Sequence, residues 1–130
     1  MDYLSSKIED LEKALQSFGL IFQEKFSAIL RDAAIQRFEY SHEMLWKVLK
    51  LFLGMEGVLC NSPKTCFRDA RLVLNLSDTD VETLLQMCDD RNLTVHTYSE
   101  ETAQAMFHRL PHYYDVMNRV LLAVKGFSTK

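Results

Sequence analysis

The segment AILRDAAIQRFEYSHEMLWKVLKLFLGM, residues 28–55, decides the fold. Wound as a helix, it carries large apolar side chains on one face and on the flanks of that face. These side chains are Phe38, Leu45, Leu49 and Phe52, with Ile35, Trp46 and Leu53 around them. So wide an apolar arc predicts a helix that is covered on several sides, at the centre of the domain. We expect Gly54 and Gly57 to end it, because glycine readily adopts the left-handed conformation of a helix C-cap.

Helical periodicity continues on both sides of this segment. Before it, apolar residues recur in alternating steps of four and three and predict a helix over 3–25: Leu4, Ile8, Leu11, Leu15, Phe18 and Phe22. After it, Ser62 is suited to cap free amides and Pro63 to occupy a first helical position. A short third helix is therefore expected over 63–75.

Two more helix starts follow along the chain. Thr79 and Glu82 have the spacing of a capping box, which predicts a fourth helix over 79–91. Ser99 is a predicted N-cap for a fifth helix over 99–125.

The predicted elements define the fold class. Pro111 lies inside the fifth helix and removes one backbone donor, so we expect a kink near 107–111. No strand pattern, repeat or linker accompanies the helices. The expected fold is all-α, an antiparallel up-and-down bundle of four long helices with the short third helix at its periphery, in one domain over 1–130.

Composition and charge exclude several classes of protein. The 130 residues are 48% hydrophobic and include 15 Lys and Arg against 18 Asp and Glu, for a net charge of -3. Such a chain is too apolar to be disordered, and no apolar run approaches the roughly 20 residues of a membrane span. Asp2 stands where a secretory signal carries basic residues, which predicts a cytoplasmic protein without membrane contact. The negative charge leaves any contact with nucleic acid to a local basic cluster.

Neither a metal site nor a disulfide framework is predicted. Cys60, Cys66 and Cys88 are an odd number without C-x2-C spacing, and we expect reduced thiols. His108 and His112 lie four residues apart, but no further ligand accompanies them at metal-binding spacing. Phosphate-binding glycine loops and the common catalytic motifs are also missing, so we expect no cofactor.

The densest polar cluster is DRNLTVHTY, residues 90–98, where the fourth helix gives way to the fifth. Five steps along a continuous helix would aim two side chains roughly 140° apart, whereas a helix junction lets Arg91 and His96 converge. Arginine can hold a phosphate and stabilise charge developing on it, and histidine moves a proton near neutral pH. Together they suffice for metal-independent cleavage of RNA. Tyr98 adds a hydroxyl that can accept a nucleotidyl group.

A structural interpretation of the same residues stays open. In it, Arg91 pairs with a neighbouring carboxylate such as Asp89, and His96 caps a helix end. The same spacing also occurs at Arg37 and His42 inside the central helix. An unbroken helix would keep these two side chains on different faces, so they serve as an internal control.

Other charged residues are weaker candidates. Glu39, Glu43 and Lys47 follow one another at i, i+4 and i+8, and they either line a cleft or form solvated ion pairs. A basic stripe on the third helix is expected to be a solvated face: Lys64, Arg68 and Arg71.

Two separated blocks of the sequence resemble a known family. IQRFEYSHEMLWKVLK at residues 35–50 is followed by Gly57, Ser62-Pro63 and then RNLTVHTY at residues 91–98. In this order and at about this spacing, the blocks resemble the nucleotidyltransferase substrate-binding protein family, a branch of the HEPN superfamily. The resemblance covers nearly the whole chain.

The resemblance implies a role for each residue of the motif R-x4-H-x-Y. Arg91 and His96 are the expected catalytic pair of an RNA-cleaving, homodimeric toxin, with Asn92 and Thr97 as supporting residues. Tyr98 is the expected site to which a minimal nucleotidyltransferase, encoded nearby, transfers AMP from its own ATP to silence the toxin. The older family name implies instead a non-catalytic subunit that holds a nucleotide or another transferase substrate. A purely structural dimerisation module is a third interpretation, and it leaves the motif unexplained.

Overall fold

The computed structural model describes residues 2–128, with the side chain of Ser128 excluded. Every regular element in this range is helical, which confirms the all-α prediction. Five α-helices follow one another, with a single 3-10 turn at Ile21–Gln23. Their bounds are α1 Tyr3–Leu20, α2 Ala28–Met55, α3 Pro63–Leu74, α4 Asp78–Leu93 and α5 Glu100–Ser128. None of them is long and apolar enough within residues 2–128 to cross a membrane.

The central position predicted for α2 is confirmed. It packs against α1, α3, α4 and α5, whereas α3, with 12 residues, is the shortest helix. The buried apolar side chains of all five helices form one core. Its largest fully buried rings are those of Phe18, Phe38, Phe67 and Tyr113. Burial of such rings is the main favourable contribution to folding.

Several helix ends follow the predicted capping residues. The Ser62 hydroxyl accepts a hydrogen bond from the Thr65 amide at 3.3 Å and caps α3. The Ser99 hydroxyl likewise accepts from the Thr102 amide at 3.1 Å, at the start of α5. Helix α5 runs on through Pro111, and the kink there stays a prediction.

Other predicted ends are wrong. The first helix changes to the 3-10 turn after Leu20 instead of continuing to 25. Helix α4 is capped by Ser77, whose hydroxyl accepts from the Asp80 amide at 3.0 Å, and not by Thr79. An N-cap at Ser77 excludes the predicted capping box, because Glu82 is then too far along the helix to reach back to it.

The end of α2 lies beyond Gly54, which is helical. Gly57 has a positive φ of 83°, the left-handed conformation that was predicted for a glycine at the C-cap of this helix. The Gly57 amide donates to the Gly54 carbonyl at 3.1 Å and the Val58 amide to the Leu53 carbonyl at 2.8 Å. This pair of bonds is the Schellman pattern, which satisfies carbonyls that the last turn would leave free.

Two cysteines are paired, contrary to the expectation of reduced thiols. Cys60 and Cys66 form a disulfide with their Cα atoms 5.2 Å apart, and Cys88 is a free, buried thiol. The loop after α2 turns back on the first turn of α3, and this brings the two sulfur atoms together. Their spacing along the chain belongs to no recognised motif, so the sequence carried no signal of the pairing.

Candidate functional site

A cleft of about 400 Å³ opens between α2, the start of α3 and the end of α4. Its lining mixes charged, polar and apolar side chains: His42, Glu43, Trp46, Ser62, Pro63, Lys64, Cys88, Arg91, Asn92 and Val95. Three residues of the sequence motif region therefore meet the first family block across this cleft: Arg91, Asn92 and Val95.

Arg91 enters the cleft from the last turn of α4. Its Nη1 donates to the Thr94 hydroxyl at 3.0 Å and lies 3.8 Å from a Glu39 carboxylate oxygen. Its Nε is buried and has no hydrogen-bond partner among the described residues. The open alternative, in which Arg91 pairs with a carboxylate, is therefore met at Glu39 and not at Asp89, which binds Lys64 at 2.7 Å. The Arg91 side chain is 26% exposed, so a ligand in the cleft can reach part of the guanidinium but not the buried Nε.

His96 lies outside the helix that carries Arg91. Helix α4 ends at Leu93, and the His96 amide donates to the Leu93 carbonyl at 3.2 Å. The helix junction predicted between the two motif residues is confirmed. His96 and Thr97 are exposed and do not line the cleft, and no hydrogen bond or ion pair within residues 2–128 joins the side chains of Arg91 and His96.

Tyr98 is half-buried and packs against the core immediately before the N-cap of α5. Burial raises the pKa of its phenol above the ordinary value, and the carboxylates of Asp32 and Glu39 add to this rise. The Arg31 guanidinium lowers the pKa of Tyr98, but by less than burial and the two carboxylates raise it. The phenol is therefore protonated at neutral pH, and any reaction at its oxygen requires a base.

A buried network holds the turn that carries Arg91. Asp90 is 5% exposed and accepts two hydrogen bonds from the Arg109 guanidinium, at 2.8 and 2.7 Å. It also accepts a bond of 2.6 Å from the Tyr113 hydroxyl. These charge-assisted bonds fasten the end of α4 to α5. No sequence pattern indicates this network, because both partners of Asp90 lie on a helix that follows the motif.

His42, treated above as a control, lies beside the motif arginine. Its Nε2 is 3.6 Å from the Cys88 sulfur, its Nδ1 has no partner among the described residues, and its ring is 1% exposed. Burial lowers the pKa of His42 to about 4, with Arg91 adding to the fall and Glu43 opposing it. Arg37 instead donates to the Ser17 carbonyl at 2.7 Å, so the two control residues do face different neighbours, as predicted.

Glu39, Glu43 and Lys47 were predicted either to line a cleft or to form solvated ion pairs, and the structure shows both arrangements. Glu43 lines the cleft and also pairs with Lys47 at 3.2 Å, while Glu39 contacts Arg91. Lys47 does not line the cleft and belongs to a neighbouring groove. A hydrogen bond of 3.1 Å from the Trp46 indole to Glu43 fixes the ring at the boundary of cleft and groove.

The remaining charged and histidine residues have separate partners. Arg71 pairs with Asp78, as expected for a solvated face of α3. His108 contacts Gln104 at 3.3 Å, whereas His112 contacts Thr83 at 3.2 Å. Residues 2–128 contain no group of three or more metal-binding side chains of the His, Cys, Asp and Glu types.

Fold and motif together define an all-α protein of the HEPN-like class, with its polar motif between the last two helices. Residues 6–125 match the family described as "Nucleotidyltransferase substrate binding protein like", and the chain belongs to this family. The resemblance identified from the two sequence blocks is thereby confirmed.

A solved structure supports the same assignment. The chain is similar to a Thermus thermophilus protein of known crystal structure, with 48% sequence identity and a TM-score of 0.81. The match covers 88% of this chain and 98% of the Thermus chain. No protein of curated function matches.

Proposed function

We propose that this chain is the HEPN subunit of a two-component toxin–antitoxin system, in which it cleaves RNA and a minimal nucleotidyltransferase silences it. One observation carries the proposal. Helix α4 ends at Leu93, so Arg91 lies in the cleft while His96 stands on the exposed connection that follows. Cleavage requires the cation and the proton carrier at one phosphate, and in this proposal RNA binding brings His96, on the connection after Leu93, to the phosphate at Arg91.

The proposed reaction is an attack of the ribose 2'-oxygen on the adjacent phosphorus, with departure of the 5'-oxygen. His96 of one copy accepts the proton of the 2'-hydroxyl, and the protonated His96 of the second copy gives a proton to the leaving 5'-oxygen. The Arg91 guanidinium stabilises the negative charge of the phosphorane through the part of the group that is exposed to the cleft. No metal ion takes part, and a homodimer places two such pairs along one RNA backbone.

Silencing is proposed to occur at Tyr98. Its oxygen attacks the α-phosphorus of ATP held by the transferase, pyrophosphate leaves, and a base on the transferase takes the phenolic proton. Because the pKa of Tyr98 is raised, the transferase must supply this activation. The AMP phosphate then lies at the amino terminus of α5, which favours negative charge, and competes for the position of an RNA phosphate.

A second candidate function follows from the cleft itself. Trp46, Lys64 and Arg91 offer an aromatic ring and two cations around a space of about 400 Å³. This favours a non-catalytic subunit that binds a nucleotide or another substrate for the transferase.

Cleavage of single-stranded RNA by the purified chain tests the proposal. Arg91→Ala and His96→Ala should each reduce the rate by at least about 100-fold without unfolding the bundle, since each removes one catalytic group. Arg68→Ala and His108→Ala are matched controls at exposed positions and should keep full activity. EDTA should have no effect. Full activity of both motif variants, or an inactive wild type that binds nucleotides, would favour the second candidate.

Co-expression with the transferase provides the second arm of this test. A neighbouring reading frame with a G-S-x5-R-x-S-D-like signature would identify the partner. The intact mass of the chain should then rise by whole AMP units, and Tyr98→Phe should abolish the rise while leaving RNA cleavage nearly intact. An unmodified wild type beside an active transferase and ATP would contradict this mechanism of silencing.

A further inference from the structure

A groove of about 720 Å³ runs between α1 and α2, beside the cleft that holds Arg91. Its size lies within the range of pockets that bind a drug-sized ligand. Aromatic rings, lysine side chains and one carboxylate line much of it: Tyr3, Lys7, Tyr40, Glu43, Trp46, Lys47 and Lys50.

The groove and the cleft share a wall. Glu43 and Trp46 line both, and the bond of 3.1 Å between them holds the indole in place at the boundary. A chain bound to Arg91 in the cleft therefore has a direct continuation past Trp46 along α2.

The charges of the groove favour a polyanion. Three lysines and one carboxylate line it; Lys47 pairs with that carboxylate, Glu43, at 3.2 Å, and Lys7 lies 3.9 Å from Asp10. Lys50 forms no ion pair with a described residue, and its Nζ lies 6.0 Å from the centre of the Trp46 ring. The local excess of positive charge contrasts with the net charge of -3 for the chain. It is the local basic cluster that contact with nucleic acid requires.

The aromatic rings favour unpaired bases over duplex. Tyr3 is 64% exposed and Tyr40 60% exposed, although large rings gain free energy from burial. Proteins that bind single strands combine a cationic groove with aromatic rings on which successive bases stack.

We infer that this groove binds the single-stranded RNA that flanks the phosphate at Arg91. Lysine ammonium groups contact its phosphates, while Tyr40 and Trp46 stack with its bases. The inference rests on the proposed function and adds to it a substrate class, unpaired RNA longer than the cleft alone accommodates.

Fluorescence anisotropy with the full chain tests the groove. The probe is a short fluorescein-labelled 2'-O-methyl oligoribonucleotide, which lacks the attacking hydroxyl and cannot be cleaved. Lys50→Glu and Tyr40→Ala should each raise the Kd about tenfold, as expected for losing one phosphate or stacking contact. Lys50→Glu should also reduce the slope of log Kd against log salt by about one.

Matched variants and a cleavage assay separate the outcomes. Lys13→Glu and Phe26→Ala change an exposed lysine and an exposed ring outside the groove, and the Kd should not change. If the wild type cleaves RNA and the groove variants bind the probe as the wild type does, the inference fails while the proposed function stands. A wild type that neither binds nor cleaves RNA overturns both. A change of oligomeric state in Lys50→Glu or Tyr40→Ala, without a change in Kd, would show that a second copy occupies the groove and would also overturn the inference.

Discussion

His42 is a titratable side chain that burial keeps neutral beside Arg91. Its pKa of about 4 in the folded chain lies below the ordinary value of 6.5, so the unfolded chain takes up this proton first as the pH falls. The stability gained from a neutral His42 is therefore present above pH 6.5 and is lost as the pH falls toward 4. We expect the free energy of unfolding to fall by about 2 kcal/mol between pH 7 and pH 4.5.

Urea unfolding of the wild type and of His42→Gln over this pH range measures the effect. The glutamine keeps a polar side chain near Cys88 but cannot take up a proton, so the difference between the two proteins should carry the pH dependence. Parallel curves for the two proteins would show that His42 is not the titrating group.

Some residues of the candidate site could be identified from the sequence, and others could be identified only from the structure. Arg91 was identified from its motif, and the structure places it in the cleft. His42 carries the same R-x4-H spacing but meets Cys88 across 46 positions of the chain, a contact that only packing creates. The bonds of Asp90 to Arg109 and Tyr113 are hidden for the same reason.

At the scale of single elements, the close packing of α1 on α5 can be tested at two glycines, Gly19, which is crowded by Tyr114, and Gly54, which is not crowded. A Cβ on Gly19 would lie 2.7 Å from Cζ of Tyr114 and even closer to its hydroxyl oxygen. The Tyr114 ring packs on Phe18 and Phe22, with centroids 5.7 Å apart in both cases, so a shift of the ring away from the new methyl group would weaken these contacts. Gly19→Ala should lower the free energy of unfolding by about 1–3 kcal/mol.

Gly54→Ala is the matched control for this substitution. Gly54 is helical, and a Cβ there would meet nothing within 4 Å. Alanine should therefore raise the stability by about 0.5 kcal/mol, since glycine loses more backbone entropy on folding. Thermal or urea unfolding compares both variants with the wild type, and equal effects of the two would contradict the close approach of α1 to α5.

The presence of each helix could be predicted from its apolar periodicity. The residue at which each helix begins depends on a single capping hydrogen bond and was harder to predict. Ser62 and Ser99 cap the helices for which they were predicted. Ser77 begins α4 in place of Thr79, because the hydroxyl two positions earlier reaches the amide of Asp80. The hydroxyls of Ser77 and Thr79 are two residues apart and can each accept a hydrogen bond from an amide in the first turn, so the sequence alone does not choose between them as the N-cap of α4.

For the whole molecule, the apolar pattern was sufficient to predict an all-α bundle around α2. It was not sufficient to predict the Cys60–Cys66 disulfide, which depends on how the loop after α2 returns to α3. The oligomeric state is equally hard to predict from the sequence. An apolar side chain that is exposed to solvent and one that is covered by a second copy of the chain look the same in the sequence.

The last prediction is a two-fold homodimer in which the motif loops of both copies meet. Leu93, the last residue of α4, is 42% exposed, and Val95 on the connection that follows is 63% exposed, where an RNA-binding surface alone would favour polar residues. A two-fold axis near this loop would cover both side chains and bring two Arg and His pairs to one RNA backbone.

Light scattering at micromolar concentration should therefore show a dimer, and Leu93→Glu should raise its dissociation constant by at least about tenfold, since the charge would be buried at the axis. Leu72→Glu places the same charge on α3, at a leucine that is 83% exposed, and should leave the dimer intact. A monomeric wild type would contradict the assembly, and a dimer broken equally by both variants would place its interface elsewhere. If the dimer is required to build the RNase centre, RNA cleavage by Leu93→Glu, a variant outside the lining of the cleft, should fall at low protein concentration and recover as the concentration rises, because mass action restores the second motif.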